Sequence, residues 1–213
     1  MSQSIIFMPG AATARGKTVN STQHQSDRLV LGSSPQDEAV EELAEEQEWL
    51  RVEEVTEDGV RQILWAIGPG TSLTYTEDPV SSNAYIVLVS ENREMFKQVL
   101  SVIHYELMPV ERRALLTSID EARDSLNRAR AVIRAGLGAP DRYDEDFFTR
   151  IRDAFASPDK WVREAAVWAT AYSPWPQYRP LLEVTKQNDS EEKLRGDAAA
   201  VLAGFDSQRV EGI

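Results

Sequence analysis

One short helical pattern recurs in the C-terminal half of this 213-residue chain, and recurrence of that kind leaves few architectures open. In its first clear copy Val162, Ala166 and Ala169 share one helical face, while Trp161, Ala165, Trp168 and Tyr172 fall on the face beside it. A helix with two apolar stripes needs two neighbours. Leu194-Arg195 repeats Val162-Arg163, with Ala198 and Val201 where the first copy has Ala166 and Ala169. Ala122-Arg123, followed by Leu126 and Ala129, makes a third copy upstream. Copies about 30 to 40 residues apart predict a row of stacked helices, each pair burying its face against the next. We expect this arrangement over residues 111–207, with 208–213 as a tail.

Net charge is −12, and its placement says more than its size. Residues 36–58 hold eleven carboxylates against the single cation Arg51, so this block alone carries −10 and the remainder is close to neutral. An acidic patch repels nucleic-acid phosphates and attracts basic proteins. The chain has no cysteine and two histidines, which removes disulfides, thiolate nucleophiles and cysteine-bound zinc from consideration. No apolar run approaches the roughly 20 residues needed to cross a bilayer, and SIIFM near the start is too short for a secretory core. The expectation is a cytoplasmic protein without a cofactor.

Residues 1–33, rich in Ser, Thr, Gln, Gly and Ala, predict a disordered tail. Within it AATARGKT, Ala11 to Thr18, fits a relaxed phosphate-loop pattern in which Gly16 gives the turn, Lys17 reaches phosphates and Thr18 holds magnesium. The polar string VNSTQHQSDRL follows where an apolar helix belongs, so nucleotide binding stands as the alternative reading and not the leading one.

Residues 34–110 predict an acidic helix, a small antiparallel sheet of three or four strands and a covering helix. Ser34 is the expected cap, Pro35 the first turn, and Val40, Leu43, Ala44 and Leu50 the apolar stripe. The opposite side carries Glu41, Glu42, Glu45, Glu46 and Glu48. Glu41 with Glu45 and Glu42 with Glu46 are like charges at i, i+4, each costing a few tenths of a kcal/mol in an isolated helix. A charge run of this kind is ordinarily just a solvated face, but a basic partner would relieve such a cost, which makes these five residues candidate partner-binding residues. VRQILWAI, TSLTYTE and AYIVLVS read as strands, and LRVEEVT pairs with the first of them across Asp58-Gly59. Met95, Phe96, Val99, Leu100, Ile103 and Leu107 then recur at helical spacing to cover the sheet. His104, beside that stripe, is a candidate acid–base centre with Glu106, Glu91 or Asp78, although no spacing demands it; His24 lies in the tail.

Further on, Ser118-Ile119-Asp120-Glu121 reads as a capping box opening a helix that Gly136 and Gly138 end, and Asp144 caps the next. Trp161 and Trp175 complete the candidate partner-binding set, against the alternative that aromatics here are packing.

Acidic residue, aliphatic-Arg, two residues and Ala, as in DKWVREAA at Asp159 to Ala166, resembles the first helix of a HEAT-type repeat. SEEKLRGDAA is similar to a second copy and IDEARDSL to a more distant third, covering roughly 118–205. The resemblance implies a short helical solenoid that scaffolds or binds partners, usually without catalysis, with Arg123, Arg163 and Arg195 in inter-repeat hydrogen bonds and ion pairs. The expected fold is therefore α+β, a small sheet followed by a HEAT-like helical solenoid. The expected function is a non-enzymatic adaptor or inhibitor, in one version an immunity or antitoxin protein binding a basic partner, with no nucleic acid and no membrane involved.

Overall fold

The computed structural model describes residues 23–211, a mixed α and β chain that divides into two compact units between Glu111 and Arg112. The first unit contains β1 (His24–Gln25), β2 (Leu29–Ser33), α1 (Asp37–Glu46), β3 (Leu50–Glu57), β4 (Val60–Gly68), β5 (Thr71–Asp78), β6 (Asn83–Ser90) and α2 (Arg93–Glu106). All pairings are antiparallel, in the order β1-β6-β5-β4-β3, with β2 also on β6.

The expected strands form because apolar residues alternate. Ile63 and Trp65 of β4, Leu73 and Tyr75 of β5, and Ile86 and Leu88 of β6 all point to one face, where they pack with Val40 and Ala44 of α1 and Val99 and Ile103 of α2. Asp58 and Gly59 both take positive φ, 51° and 83°, as a two-residue hairpin turn requires. Asn92 caps α2, its side chain accepting from Glu94 and Met95 backbone N–H groups.

Three expectations for this unit are corrected. The sheet has six strands rather than three or four, because β1 and β2 lie in the stretch expected to be tail. Leu29 to Leu31 is too short to show a period, yet pairing with β6 buries Val30. Helix α1 starts at Asp37, not Ser34-Pro35, and its N-cap Gln36 offers no side-chain cap; instead the Gln36 backbone N–H donates to the Tyr75 hydroxyl at 2.9 Å. A contact 39 residues away replaces the local signal. Leu50 belongs to β3 and is exposed, because the helix ends at Glu46 and Glu48 turns the chain with φ 56°.

The second unit is helical: α3 (Arg112–Asp120), α4 (Ser125–Leu137), α5 (Glu145–Phe155), α6 (Lys160–Tyr172), a 3-10 turn at Pro176–Tyr178, α7 (Arg179–Asn188) and α8 (Glu192–Glu211). Helix α6 packs against both α4 and α8, while α3 packs on α4, α5 on α6 and α7 on α8. The first stripe of α6, Val162, Ala166 and Ala169, is buried, as are Leu194, Ala198 and Val201 of α8; of the second, Ala165 and Tyr172 are buried, Trp168 is half-buried and Trp161 is exposed. Gly136 is a packing residue rather than a terminator. A Cβ there would lie 2.5 Å from the Ala169 Cβ, so α4 and α6 approach too closely for any side chain; Gly138 is the C-cap.

The supposed capping box is also corrected. Ser118 lies inside α3, its hydroxyl donating to the Leu115 carbonyl at 2.7 Å, and Asp124 caps α4 by accepting from Asn127 N–H at 2.8 Å. Ala122-Arg123 thus falls on the joint between helices, out of phase with the other copies. The segment in phase is Asp124, Arg128 and Ala131, which matches Asp159, Arg163 and Ala166 in both spacing and helix position.

Candidate functional site

The charged face of the sheet unit is built by α1 and β3. Because Val40, Leu43 and Ala44 turn inward, the glutamates of α1 are forced outward: Glu42, Glu45 and Glu46 are exposed, as is Glu48 in the following turn, and Glu41 is half-buried. Strand β3 continues this ridge. All eight of its residues are exposed, including Glu53, Glu54 and Glu57 and the apolar Leu50, Val52 and Val55. It stands at one end of the strand order, and among the described residues it pairs with β4 alone.

Two arginines neutralise part of this charge. Arg51 lies 3.0 Å from Glu41 and 2.5 Å from Glu54, so it is held within the ridge. Arg61 is the inner anchor, contacting Asp37 at 2.5 Å, Glu54 at 2.7 Å and Glu77 at 2.9 Å, while Tyr75 donates to Glu77 at 3.2 Å. Hydrogen bonding from Arg61 holds the Asp37 and Glu54 carboxyls below their ordinary values. Burial pushes the Tyr75 phenol well above its usual range, keeping it a neutral donor. Glu42, Glu45, Glu46, Glu48, Glu53 and Glu57 have no such cation among the described residues.

The remaining candidates separate. Trp161 is 57% exposed, with the Lys160 ammonium 5.1 Å from its ring centroid. Trp175 is a correction: it is buried, its Nε1 donates to the Asp141 carbonyl at 3.1 Å, and it stacks on Tyr178 at 5.4 Å with Tyr143 edge-on at 5.3 Å. It closes the turn after α6 and offers no surface to a partner. His104 is exposed on α2, and the ring of His24 lies 5.9 Å from that of Phe96. Among the described residues no cluster of three or more His, Asp or Glu is placed to hold a metal, and no helix is long and apolar enough to cross a membrane. Gly16, Lys17 and Thr18 lie outside the described residues.

In the helical unit charges pair across neighbouring elements. Arg163 of α6 reaches Asp189 at 2.8 Å and 3.0 Å and donates to the Ser157 and Pro158 carbonyls. Arg195 donates to the Asp189 and Ser190 carbonyls at the same sequence offsets, so the two copies share a hydrogen-bonding scheme as well as a pattern. Arg123 lies exposed in the joint before α4. Arg112 with Asp144 and Asp146, and Arg150 with Asp120, tie neighbouring helices together.

The exposed residues that the sequence reading did not single out are those of β3. Its alternation identifies a strand, but whether a strand is central or at an edge depends on pairing elsewhere in the chain. The chain matches no protein family, no curated protein and no solved structure with which it was compared.

Proposed function

We propose that this protein is a non-enzymatic protein-binding module, an adaptor or inhibitor, that engages a basic partner through the acidic ridge of α1 and β3. The observation that carries this reading is the row Glu42, Glu45, Glu46 and Glu48, held outward by a buried stripe and left without internal cations. Like charges at i, i+4 cost stability. A basic partner recovers that cost and is steered to the ridge, raising its association rate at low salt. In this reading the helical unit is a short HEAT-like solenoid whose repeat arginines serve packing, with Trp161 as an exposed aromatic contact. An immunity or antitoxin protein masking a cationic nuclease is one concrete form.

The test is affinity capture at low salt followed by mass spectrometry, using the wild type and the triple variant Glu42→Lys, Glu45→Lys, Glu46→Lys. Capture of basic proteins by the wild type, lost in the variant and in high salt, supports the reading. Equal capture by both removes it.

A further inference from the structure

Strand β3 is eight residues long, every residue is exposed, and three are apolar; a register shift at Val52 leaves Glu53–Glu57 as its regular stretch. Its outer backbone groups are identifiable. Glu57 and Val60 flank the two-residue turn and form the first hydrogen-bonded pair with β4. By antiparallel alternation the Thr56–Arg61 and Glu54–Ile63 pairs are then the non-bonded ones, so Thr56 and Glu54 turn their N–H and C=O groups away from β4. Among the described residues, hydrogen-bonding capacity thus runs unpaired along the outer side of β3.

We infer that β3 is a strand-addition site for an extended, basic segment of a partner protein, which pairs with the outer backbone of Glu54 and Thr56. This rests on the acidic-ridge reading above and names how the partner is held. Cross-strand partners share a face, so Glu54 and Thr56 lie on the side of Ile63, and Glu53, Val55 and Glu57 on the other. An incoming strand therefore meets Glu53 and Glu57 on one face, and on the other Glu54, already bridged by Arg51 and Arg61, beside the apolar Leu50, Val52 and Val55. A segment mixing Lys or Arg with β-branched residues complements that surface. The one cation of the strand, Arg51, is already held by Glu41 and Glu54. A second copy of this chain is disfavoured as occupant, since antiparallel pairing through Glu54 and Thr56 would bring Glu53 of each copy against Glu57 of the other. The glutamates thus exclude self-pairing and select a basic strand, while backbone pairing supplies affinity.

The experiment uses the full chain and three capped eight-residue peptides: alternating Lys and Val, the same peptide N-methylated at alternate residues, and alternating Glu and Val. Calorimetry and residue-resolved amide exchange are the readouts. The expected result is binding of the Lys–Val peptide about tenfold or more tighter than the other two, with amide exchange at Glu54 and Thr56 slowed by a similar factor. The variant Thr56→Pro, which removes an outward N–H and none of the bonds to β4, should weaken binding. Equal binding of the methylated peptide overturns strand addition and leaves the charge reading standing. Equal binding of the Glu–Val peptide overturns both. Unchanged exchange at Glu54 and Thr56 at saturating Lys–Val peptide also overturns the proposal. So does a dimer of the free protein, by sedimentation, in which those amides are already protected.

Discussion

The two units use the same residue types to opposite ends. In the helical unit carboxylates are spent on arginines of neighbouring elements: Asp189 on Arg163, Asp144 on Arg112, Asp120 on Arg150. In the sheet unit Arg61 and Arg51 gather Asp37, Glu41, Glu54 and Glu77, and the rest of the acidic block faces water. The difference is one of supply. Where cations alternate with anions along the sequence, charge joins helices; where a single Arg accompanies eleven carboxylates, the surplus has to form a surface. Glue and face are therefore separable by mutation.

The contrast breaks most severely if either core is emptied or overfilled. Trp65→Ala removes a side chain that is 2% exposed at the centre of the sheet, and an expected loss of about 3–5 kcal/mol in urea unfolding follows from its size and burial. Gly136→Val places a branched side chain where a single Cβ already overlaps Ala169, and it should unfold the helical unit while circular dichroism retains the strand signal. If the strand signal disappears with it, the units do not unfold separately.

Next in size is Arg163→Ala, which strands Asp189, whose side chain is 7% exposed, and frees the Ser157 and Pro158 carbonyls. About 2 kcal/mol of destabilisation is expected, from hydrogen bonds to charged groups lost at a half-buried site. Acid titration sharpens the same point. Hydrogen bonding from Arg163 lowers the Asp189 pKa below its ordinary value of 3.8. A carboxyl harder to protonate folded than unfolded adds stability that is complete above the unfolded value and drains away as pH falls through the folded one. Melting temperature should therefore drop as pH goes below 3.8, and Arg163→Ala should flatten that part of the drop. An unaltered profile would mean that Asp189 is not held by Arg163.

The smallest expected effect on stability is the most telling for function. Glu42→Lys, Glu45→Lys and Glu46→Lys together should move unfolding by no more than about 0.5 kcal/mol per site, since each is exposed and outside any ion pair among the described residues. The same variant should abolish capture of basic partners. A large loss of stability would show that these residues serve the fold after all.

Some of this was legible in the residues themselves. Strands β4, β5 and β6 and helix α2 follow their periods closely, since alternation and the i, i+3, i+4 spacing report burial directly. Val162, Ala166, Leu194 and Ala198 were recognisable as buried because two copies of one pattern imply one shared environment. Other features misled. The Ser118 capping box is locally plausible, yet Leu115, Leu116 and Ile119 form a buried stripe that carries α3 through it and leaves Asp124 to start α4. Trp175 and Trp161 look alike in sequence, and only the turn geometry around Asp141 and Tyr178 buries one and exposes the other.

The amino-acid order by itself determined the alternation of apolar and polar faces, the burial of the repeated α6 and α8 stripe, and the outward turn of the α1 glutamates, because each depends on neighbours within a few turns or on a repeated pattern. Only the tertiary structure decided that Leu29–Ser33 joins the sheet, that Gln36 is anchored by Tyr75 instead of a side-chain cap, and that β3 ends the strand order among the described residues. Those outcomes rest on backbone pairing and hydrogen bonds between residues tens of positions apart, and such contacts leave no period in the chain that makes them.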